Sequence, residues 1–504
     1  MRFLALLALI GYFFSVFAQE NTRYEKQIEA LQKEMELLKK KSEENEIRSR
    51  IEVDHLKQQI EKISQQKNEP TSKESATDKA LMEEIEKALQ ETPKSETTGI
   101  VSVPAGKATL RLIDISLDSL SVVGSSSARE STVRQLHGGG HDPKKRGFTN
   151  QNNELTLKGA VDPYFTAQAN IVFQLDSEGE TILELEEIFA ETTSLPWGLT
   201  LKTGQYFTPF GRFNPQHPHS WSFVDQSVIN TRLLGGDGTR GLATQISWLA
   251  PTPWYFELIG GIQNANGIAP SFLGGGEGGE EEPEEGGVTF ETELPRIERD
   301  VRSFSEMLYF FRTLHSVDLS DTFTLNMGAS YMIGPNATGE HTRTHMVGGD
   351  LYFKWLPEAN DHGFPFVSWH TEAMYRHFEV DDVQEILLED DGSFAGIGFV
   401  SPKRKLQDWG LFSQVDVGIA PHWVAGLRYD YADSDSQDKF DFHRQERQRG
   451  SLALTYFFTE FSKLRLQYNL DCSNLDLDPD HNRYEHSVWL QFEFLLGSHG
   501  AHNF

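Results

Sequence analysis

The chain has 504 residues and is strongly acidic, with 75 Asp and Glu residues against 46 Lys and Arg residues and a formal net charge of −29. Nucleic acids and anionic membrane surfaces would repel such a chain, so nucleic-acid binding is excluded as a function. The single cysteine, Cys472, excludes an intramolecular disulfide, and its distance from the N-terminus excludes a lipid-anchored N-terminal cysteine.

The first residues, MRFLALLALIGYFFSVFAQE, have the organisation of a secretory signal peptide. One basic residue precedes an apolar run, and the small residues Val16 and Ala18 fit a cleavage site before Gln19. The run is shorter than the roughly 20 residues of a membrane-spanning helix. Residues 1–18 are therefore predicted to be a signal peptide, and the mature protein is predicted to be exported.

Residues 19–67 are rich in Glu, Lys and Gln and carry apolar residues at alternating steps of three and four. This spacing predicts a coiled coil, with a break where Ser42 and Asn45 fall on the seam. The seam consists of Ile28, Leu31, Met35, Leu38, Val53, Leu56, Ile60 and Ile63. A single solvated helix is the alternative, but so apolar a seam favours pairing with identical chains and predicts a periplasmic trimeric stalk.

Residues 68–106 are predicted to be a linker that contains one short helix. The helical pattern covers residues 79–90 and ends before Pro93, which disfavours helix at the residue that precedes it. Polar residues flank the helix on both sides.

From residue 107 to residue 504 the apolar residues recur with a period of two. Leu464, Leu466 and Leu470, for example, alternate with Arg465, Gln467 and Asp471. The pattern predicts strands at 108–117, 154–161, 164–175, 182–192, 198–206, 240–249, 254–263, 308–319, 322–333, 344–355, 366–377, 406–417, 422–431, 450–458, 463–471 and 486–496. We interpret it as an all-β transmembrane barrel of about 16 antiparallel strands, in a range of about 14–18. A soluble β-sandwich shares the alternation but would bury its apolar face.

Short connections alternate with long ones between these strands. Residues 318–321 and 420–421 are short links, whereas the connections near 207–239, 264–307 and 378–405 are long. Bacterial outer-membrane barrels have short periplasmic turns and longer extracellular loops. The alternation therefore favours an outer-membrane barrel.

The stretch from Gly204 to Leu249 joins two of the predicted strands through a connection rich in aromatic residues and glycine. Its blocks GQYFTPFGRFNPQHPHSWSFVDQ and LLGGDGTRG resemble the outer-membrane porins of the phosphate-selective class and their uncharacterised relatives. The resemblance continues more weakly from about residue 108 to the C-terminus, through ELTLKGAVDPYF and GSHGAHNF. It implies a bacterial outer-membrane barrel that passes small solutes, without indicating that phosphate is the solute.

The same connection is the predicted constriction of the pore. Pro215 and Pro218 predict that it contains no helix. Arg212, Arg232 and Arg240 could offer a row of guanidinium groups to an anion, with Asp225 and Asp237 as counter-charges. Structural pairing of Arg240 with Asp237 is the alternative.

Other charged residues fall on the face of the strands that should line the pore. These candidates are Lys354, Glu372, Arg376, Arg428 and Arg465. Because acidic and basic residues on this face nearly balance, with slightly more acid, the sequence predicts a general pore with a weak cation preference.

Two histidines in the same connection are weak candidates for a metal site. His217 and His219 are two residues apart in an extended segment, and His499 with His502 could supply further ligands. Packing of the loop is the alternative reading of these histidines. The acidic segment 274–287 is expected to be a solvated loop, with weak divalent-cation binding as the alternative.

The sequence as a whole predicts an outer-membrane porin for passive diffusion of small hydrophilic solutes or ions. Its expected partners are outer-membrane lipid and two further copies in a homotrimer, with the N-terminal segment in the periplasm. The alternatives are an envelope tether that reaches a periplasmic cell-wall partner through the coiled coil, and a metal-specific uptake channel. Because the sequence contains no catalytic motif of the hydrolase, zinc-protease or phosphate-loop type, neither enzymatic activity nor a cofactor is expected.

Overall fold

The computed structural model describes residues 101–105, 108–175, 180–266, 269–273, 299, 301–361, 363–388, 394–435, 444–473 and 483–497. The predicted signal peptide, coiled coil and most of the linker lie outside the described residues, as do the acidic segment 274–287, His499 and His502. Among the described residues, no helix is both long enough and apolar enough to cross a membrane.

The described part of the chain is mainly β-strand, with two short helices. The elements are β1 (Val101–Ala105), β2 (Ala108–Ser126), α1 (Glu130–Leu136), β3 (Gly147–Ala160), β4 (Phe165–Leu175), β5 (Thr181–Thr192), β6 (Leu199–Phe207), α2 (Val228–Leu234), β7 (Arg240–Leu249), β8 (Tyr255–Gln263), β9 (Leu308–Ser320), β10 (Phe323–Pro335), β11 (Arg343–Trp355), β12 (Phe366–Val380), β13 (Val383–Leu388), β14 (Phe394–Ser401), β15 (Arg404–Ala420), β16 (Trp423–Ser434), β17 (Arg447–Thr459), β18 (Ser462–Ser473) and β19 (Tyr484–Gly497). Single turns of 3₁₀-helix occur at Pro196–Gly198, Pro218–Ser220 and Phe304–Glu306.

Sixteen of the strands form a closed antiparallel barrel. Strands β2 to β12 and β15 to β19 each pair with the next one along the chain, and β19 pairs back with β2, where Leu490 lies opposite Val123. Each predicted strand overlaps one strand of this ring. The predicted fold class, a barrel of sixteen antiparallel strands, is therefore confirmed.

The two faces of the strands differ as the alternation predicts. On β18 the side chain of Leu466 is 48% exposed on the outside, whereas the neighbouring Arg465 and Gln467 point inward and are buried. Strand β19 repeats the arrangement, with Leu490 and Phe492 outside and Gln491 inside. An apolar outer face and a polar inner face are what a barrel in a lipid bilayer requires.

The connections differ between the two ends of the barrel. Five of those at one end are the short links 161–164, 250–254, 321–322, 421–422 and 460–461, and the other end carries the long connections 127–146, 208–239, 264–307 and 381–403. Large aromatic side chains are exposed at the end of the barrel that carries the short links, among them Trp197, Trp254, Trp423 and Phe461. Aromatic girdles of this kind mark the level of the membrane interface.

Two pairings were not predicted from the sequence. Strand β1, in the stretch predicted to end the linker, forms a hairpin with the start of β2, with Val103 opposite Leu110. Strands β13 and β14 form a separate two-stranded hairpin in the connection between β12 and β15.

The exposure of Leu466 makes a prediction about the membrane face. Replacing it with Arg should destabilise the folded barrel by roughly 2–4 kcal/mol, because the charge would lie in hydrocarbon near the middle of β18. The free energy of unfolding, measured by denaturant titration in lipid vesicles, checks this. Leu466→Phe is the matched control and should change it little. An equal effect of the two substitutions would contradict a lipid-facing position.

Candidate functional site

Residues 208–239, the inner segment, connect β6 to β7 and pass through the interior of the barrel. At their start the Oγ1 atom of Thr208 donates to Oε1 of Gln263 over 2.6 Å. The side-chain amide of Asn214 then donates to the carbonyl oxygens of both Thr208 and Thr239, over 2.8 and 3.0 Å. This side chain ties the two ends of the inner segment together, so the residues between them form a loop that is closed at its base.

The first turn of the inner segment is fixed on strands β10 to β12. The backbone N–H groups of Arg212 and Phe213 both donate to Oε1 of Glu372, over 2.6 and 2.7 Å. Gly211 has a φ of +64°, and a Cβ there would lie 2.2 Å from the Glu372 carboxylate. Only glycine therefore fits this turn, both for its backbone conformation and for its contact with Glu372.

Asp225 binds the inner segment to the opposite part of the wall. Its carboxylate is fully buried and lies 2.5 Å from Nη2 of Arg428 and 3.0 Å from Nη1 of Arg449. The side-chain amides of Gln467 and Asn469 donate to the same carboxylate over 2.9 and 2.7 Å. Burial alone would raise the pKa of Asp225, but the two guanidinium groups hold it well below its ordinary range.

The inner segment also has an apolar side. Phe210, Ile229, Leu233 and Leu234 are buried in one cluster with inward-facing residues of the wall. The wall contributes Met332, Met346, Met374 and Phe412, from strands β10, β11, β12 and β15. This end of the barrel interior is therefore packed like a protein core, and the inner segment adheres to the wall by apolar contact as well as by hydrogen bonds.

Helix α2 corrects the prediction that this connection contains no helix. The prolines lie upstream of it, at 215 and 218, and the helix begins after Ser227, whose side chain accepts from the N–H of Asn230. The N–H of Val228 donates to the buried Asp430 carboxylate over 3.1 Å. The cap and this contact with the wall satisfy backbone donors of the first turn, which is why a helix of seven residues is stable there.

Helix α1 and its flanking residues lie against the same parts of the interior. The carbonyl oxygen of Leu136 accepts from the guanidinium groups of Arg447 and Arg449, in each case over 2.7 Å. The side-chain amide of Gln151 donates to the carbonyl oxygens of His141 and Val224, over 2.8 and 3.0 Å. The connection between β2 and β3 therefore contacts the wall through Leu136, and Gln151 links it to the inner segment.

A carboxylate and histidine cluster lies between the inner segment and strands β3 and β5. Nδ1 of His217 is 3.2 Å from Oε2 of Glu154 and 2.9 Å from Oε2 of Glu186, while its Nε2 is 2.9 Å from Oε2 of Glu187. The ring of His219 stacks on that of His217, and its Nδ1 is 3.5 Å from Glu154. Burial lowers the pKa of His217, but the Glu154 and Glu186 carboxylates outweigh that effect and raise it well above the ordinary range.

A β-bulge brings two neighbouring carboxylates of β5 into this cluster. The strand pairing passes from Asn170 opposite Glu187 to Ile171 opposite Leu185, which leaves Glu186 as the extra residue. Glu186 and Glu187 are both buried, although side chains of successive strand residues ordinarily point to opposite faces.

The four predicted constriction residues contact different parts of the wall and of its connections. The Arg212 guanidinium lies 4.1 Å from the centre of the Tyr352 ring, and Arg232 donates to the carbonyl oxygen of Gln445. Arg240 pairs with Glu184 and Glu186, so the alternative that it pairs with Asp237 is wrong. Asp237 instead lies 3.9 Å from Nε2 of His141. The three arginines therefore do not form one row.

The predicted pore-lining residues face the interior, but four of them are buried rather than in contact with water. Glu372, Arg376, Arg428 and Arg465 are between 1% and 6% exposed. Glu372 and Arg428 bind the inner segment as described, Arg465 donates to the carbonyl oxygen of Trp221 over 2.7 Å, and Arg376 pairs with Asp408 over 2.7 Å. Lys354 is partly exposed. The expectation that all five residues line an aqueous passage is therefore wrong for the four buried ones, because the inner segment and neighbouring side chains cover them.

Several interior residues were missed by reading the sequence. Glu154, Glu187 and Arg449 were not singled out, and Asp225 was considered only as a counter-charge. The consecutive acids Glu186 and Glu187 within an alternating strand were the one available signal, since such a pair breaks the period of two.

Comparisons with known proteins give one relative of similar length and several barrels. No family model matches the sequence. An uncharacterised protein of Aquifex aeolicus is 29% identical over 461 residues, which cover 83% of this chain and 87% of that protein. Among solved structures, the outer-membrane channel DcaP of Acinetobacter baumannii is similar with a TM-score of 0.44, 11% identity and coverage of 76% of this chain and 96% of that one. An anion-selective porin from Comamonas acidovorans has a TM-score of 0.43, 8% identity and coverage of 76% and 98%. Identities and scores of this size decide nothing about solute or mechanism.

The buried position of Asp225 makes a prediction about the inner segment. Asp225→Asn should lower the free energy of unfolding by roughly 3–5 kcal/mol, because Arg428 and Arg449 would lose a buried counter-charge. It should also increase cleavage of residues 208–239 by protease in the detergent-solubilised barrel. Asp321→Asn, in the exposed β9–β10 turn, is the control. Unchanged stability and unchanged cleavage would contradict a role for Asp225 in holding the inner segment.

Proposed function

We propose that the protein is an outer-membrane porin through which small hydrophilic solutes or ions diffuse passively, with the inner segment as its constriction. The observation that carries the proposal is the closed sixteen-strand ring with an apolar outside and a charged, hydrogen-bonded inside, into which the inner segment folds. Selectivity in such a barrel depends on whichever segment narrows the lumen and on the charges beside it.

The part of the lumen nearer the short links is the proposed aqueous entrance. The inward-facing Lys158 is exposed there, and Lys202 and Lys354 are partly exposed, in contrast to the buried charges around the inner segment. Arg212 is also partly exposed and stands where the inner segment meets this region. A solute that enters from this end would therefore meet Arg212 at the constriction.

We propose a general pore rather than a phosphate-specific one. The buried arginines of the wall are matched by carboxylates, as in the pairs of Arg312 with Asp350 and Arg376 with Asp408. The exposed or partly exposed cations near the entrance come from three separate strands, β3, β6 and β11, and from the inner segment. The weak cation preference stays a prediction from the slight excess of acidic residues on the pore face.

Substitution of Arg212 tests the constriction. Arg212→Glu should move the zero-current potential of the purified protein, measured in planar bilayers under a salt gradient, toward cation preference, because a negative charge would replace a positive one at the proposed constriction. Arg302→Glu makes the same charge change at an exposed residue outside the inner segment and should leave the potential unchanged. Absence of conductance from the wild-type protein, or an equal shift in both variants, would contradict the proposal.

We also propose that the residues before the barrel lie in the periplasm and that the protein is a homotrimer. Strand β2 begins at the end of the barrel that carries the short links, which is the periplasmic end in bacterial barrels. The predicted heptad seam of residues 19–67 would then join three chains on that side.

The mass of the protein in detergent tests the trimer. Light scattering should give three chains for the full-length protein and a smaller trimeric fraction after deletion of residues 20–92, because the seam would be lost. A monomer at all concentrations of the full-length protein would contradict the homotrimer.

A further inference from the structure

We propose that Glu154, Glu186 and His217 bind one divalent transition-metal ion inside the barrel. Each offers one ligand atom, and the three atoms lie within 4.8 Å of one another. Strands β3 and β5 supply the two carboxylates, and the inner segment supplies the imidazole. The site therefore joins the inner segment to the wall, and it does not depend on whether solutes pass through the pore.

The three ligand atoms converge on one another. Glu154 and Glu186 are each 1% exposed, and their Oε2 atoms lie 3.2 and 2.9 Å from the same nitrogen, Nδ1 of His217. A single N–H group at Nδ1 cannot fully satisfy two buried carboxylate oxygens. A group that binds all three atoms at once would therefore stabilise the cluster.

The other edge of the imidazole determines which nitrogen can be a ligand. Nε2 of His217 contacts the Glu187 carboxylate at 2.9 Å, a hydrogen-bond distance. When Nε2 donates its proton to Glu187 and Nδ1 carries none, the lone pair of Nδ1 is directed at Glu154 and Glu186. Metal-binding histidines are commonly held by a carboxylate in this way.

Both carboxylates are also held on their second oxygen. Oε1 of Glu154 accepts from Thr156 over 3.1 Å and from the side-chain amide of Asn170. Oε1 of Glu186 lies 3.4 Å from Nη1 of Arg240. Because these contacts occupy one oxygen of each carboxylate, the other oxygen is directed toward His217.

A dication can satisfy this cluster in a way that one proton cannot. Glu154, Glu184, Glu186 and Glu187 contact one permanently charged cation, Arg240, and three histidines: His217 and His219 of the inner segment and His141 of the β2–β3 connection. A proton on Nδ1 can be donated to one carboxylate at a time, whereas a dication can bind both oxygens and the nitrogen together. Two carboxylates with one imidazole form a mixed ligand set that suits zinc and its neighbours in the first transition row.

Water can reach the cluster from one side. The side chains of His217 and His219 are 12% and 24% exposed, in contrast to the two glutamates. His219 stacks on His217 with a distance of 5.7 Å between ring centres, so it stands beside the route by which an ion would enter.

The binding test uses the full-length protein in detergent after removal of metal with EDTA. Titration with Co²⁺, followed by its visible absorption, should show one equivalent bound and displaced by Zn²⁺. Glu154→Gln and Glu186→Gln should each weaken binding at least 10-fold, and Glu187→Gln should weaken it by roughly 10–100-fold because the imidazole loses the group that holds it. Glu358→Gln and His341→Gln change exposed residues of loops and should bind as the wild type does.

Two results would overturn the proposal. One is the absence of a stoichiometric Co²⁺ equivalent in the wild type, and the other is equal binding by the wild type and the three glutamate variants, provided that heat-dependent migration in gels shows that these are folded. If a variant does not fold, X-ray absorption of the Zn²⁺-loaded wild type decides: imidazole nitrogen together with carboxylate oxygen supports the site, and oxygen ligands alone overturn it.

Discussion

The structure depends on the requirement that every backbone polar group facing lipid be paired within the protein. A sheet satisfies it only when its first and last strands pair, because an open edge would leave N–H and C=O groups in hydrocarbon. The contact between β2 and β19 meets this requirement and so creates an enclosed interior. The inner segment, the buried charges and the carboxylate and histidine cluster all exist because that interior is shielded from lipid.

Two kinds of interaction hold the inner segment in this interior. Asp225 concentrates two guanidinium groups and two amides on one carboxylate, and such a buried charge is stable only while its partners remain in place. Phe210, Ile229 and the inward-facing methionines of the wall add apolar contact that is tolerant of small shifts. The charged contacts therefore fix one position of the segment, while the apolar contacts add stability without demanding the same geometry.

The strands could be predicted from the sequence because lipid imposes one rule on half of their residues. Lipid-facing residues such as Leu466 and Leu490 must be apolar at every such position along a strand. Their period of two can therefore be recognised in the sequence without knowing which residues they contact. The inner face has no such rule. Met346 and Met374 are apolar although they face inward, because the inner segment packs against them. The bulge that turns both Glu186 and Glu187 inward brings them to His217, which is distant in the sequence. Helix α2 likewise depends on a bond from Val228 to Asp430, which no local pattern contains.

The bond between Asp225 and the wall has a consequence for the order of assembly. Its partners Arg428, Arg449, Gln467 and Asn469 lie on β16, β17 and β18, which are made long after the inner segment. Until those strands are in place, the surface that holds the segment does not exist and its carboxylate must remain hydrated. The C-terminal strands therefore complete both the ring and its contents. Truncation near the C-terminus would thus leave a loop rich in aromatic residues without its binding surface, in addition to an open edge.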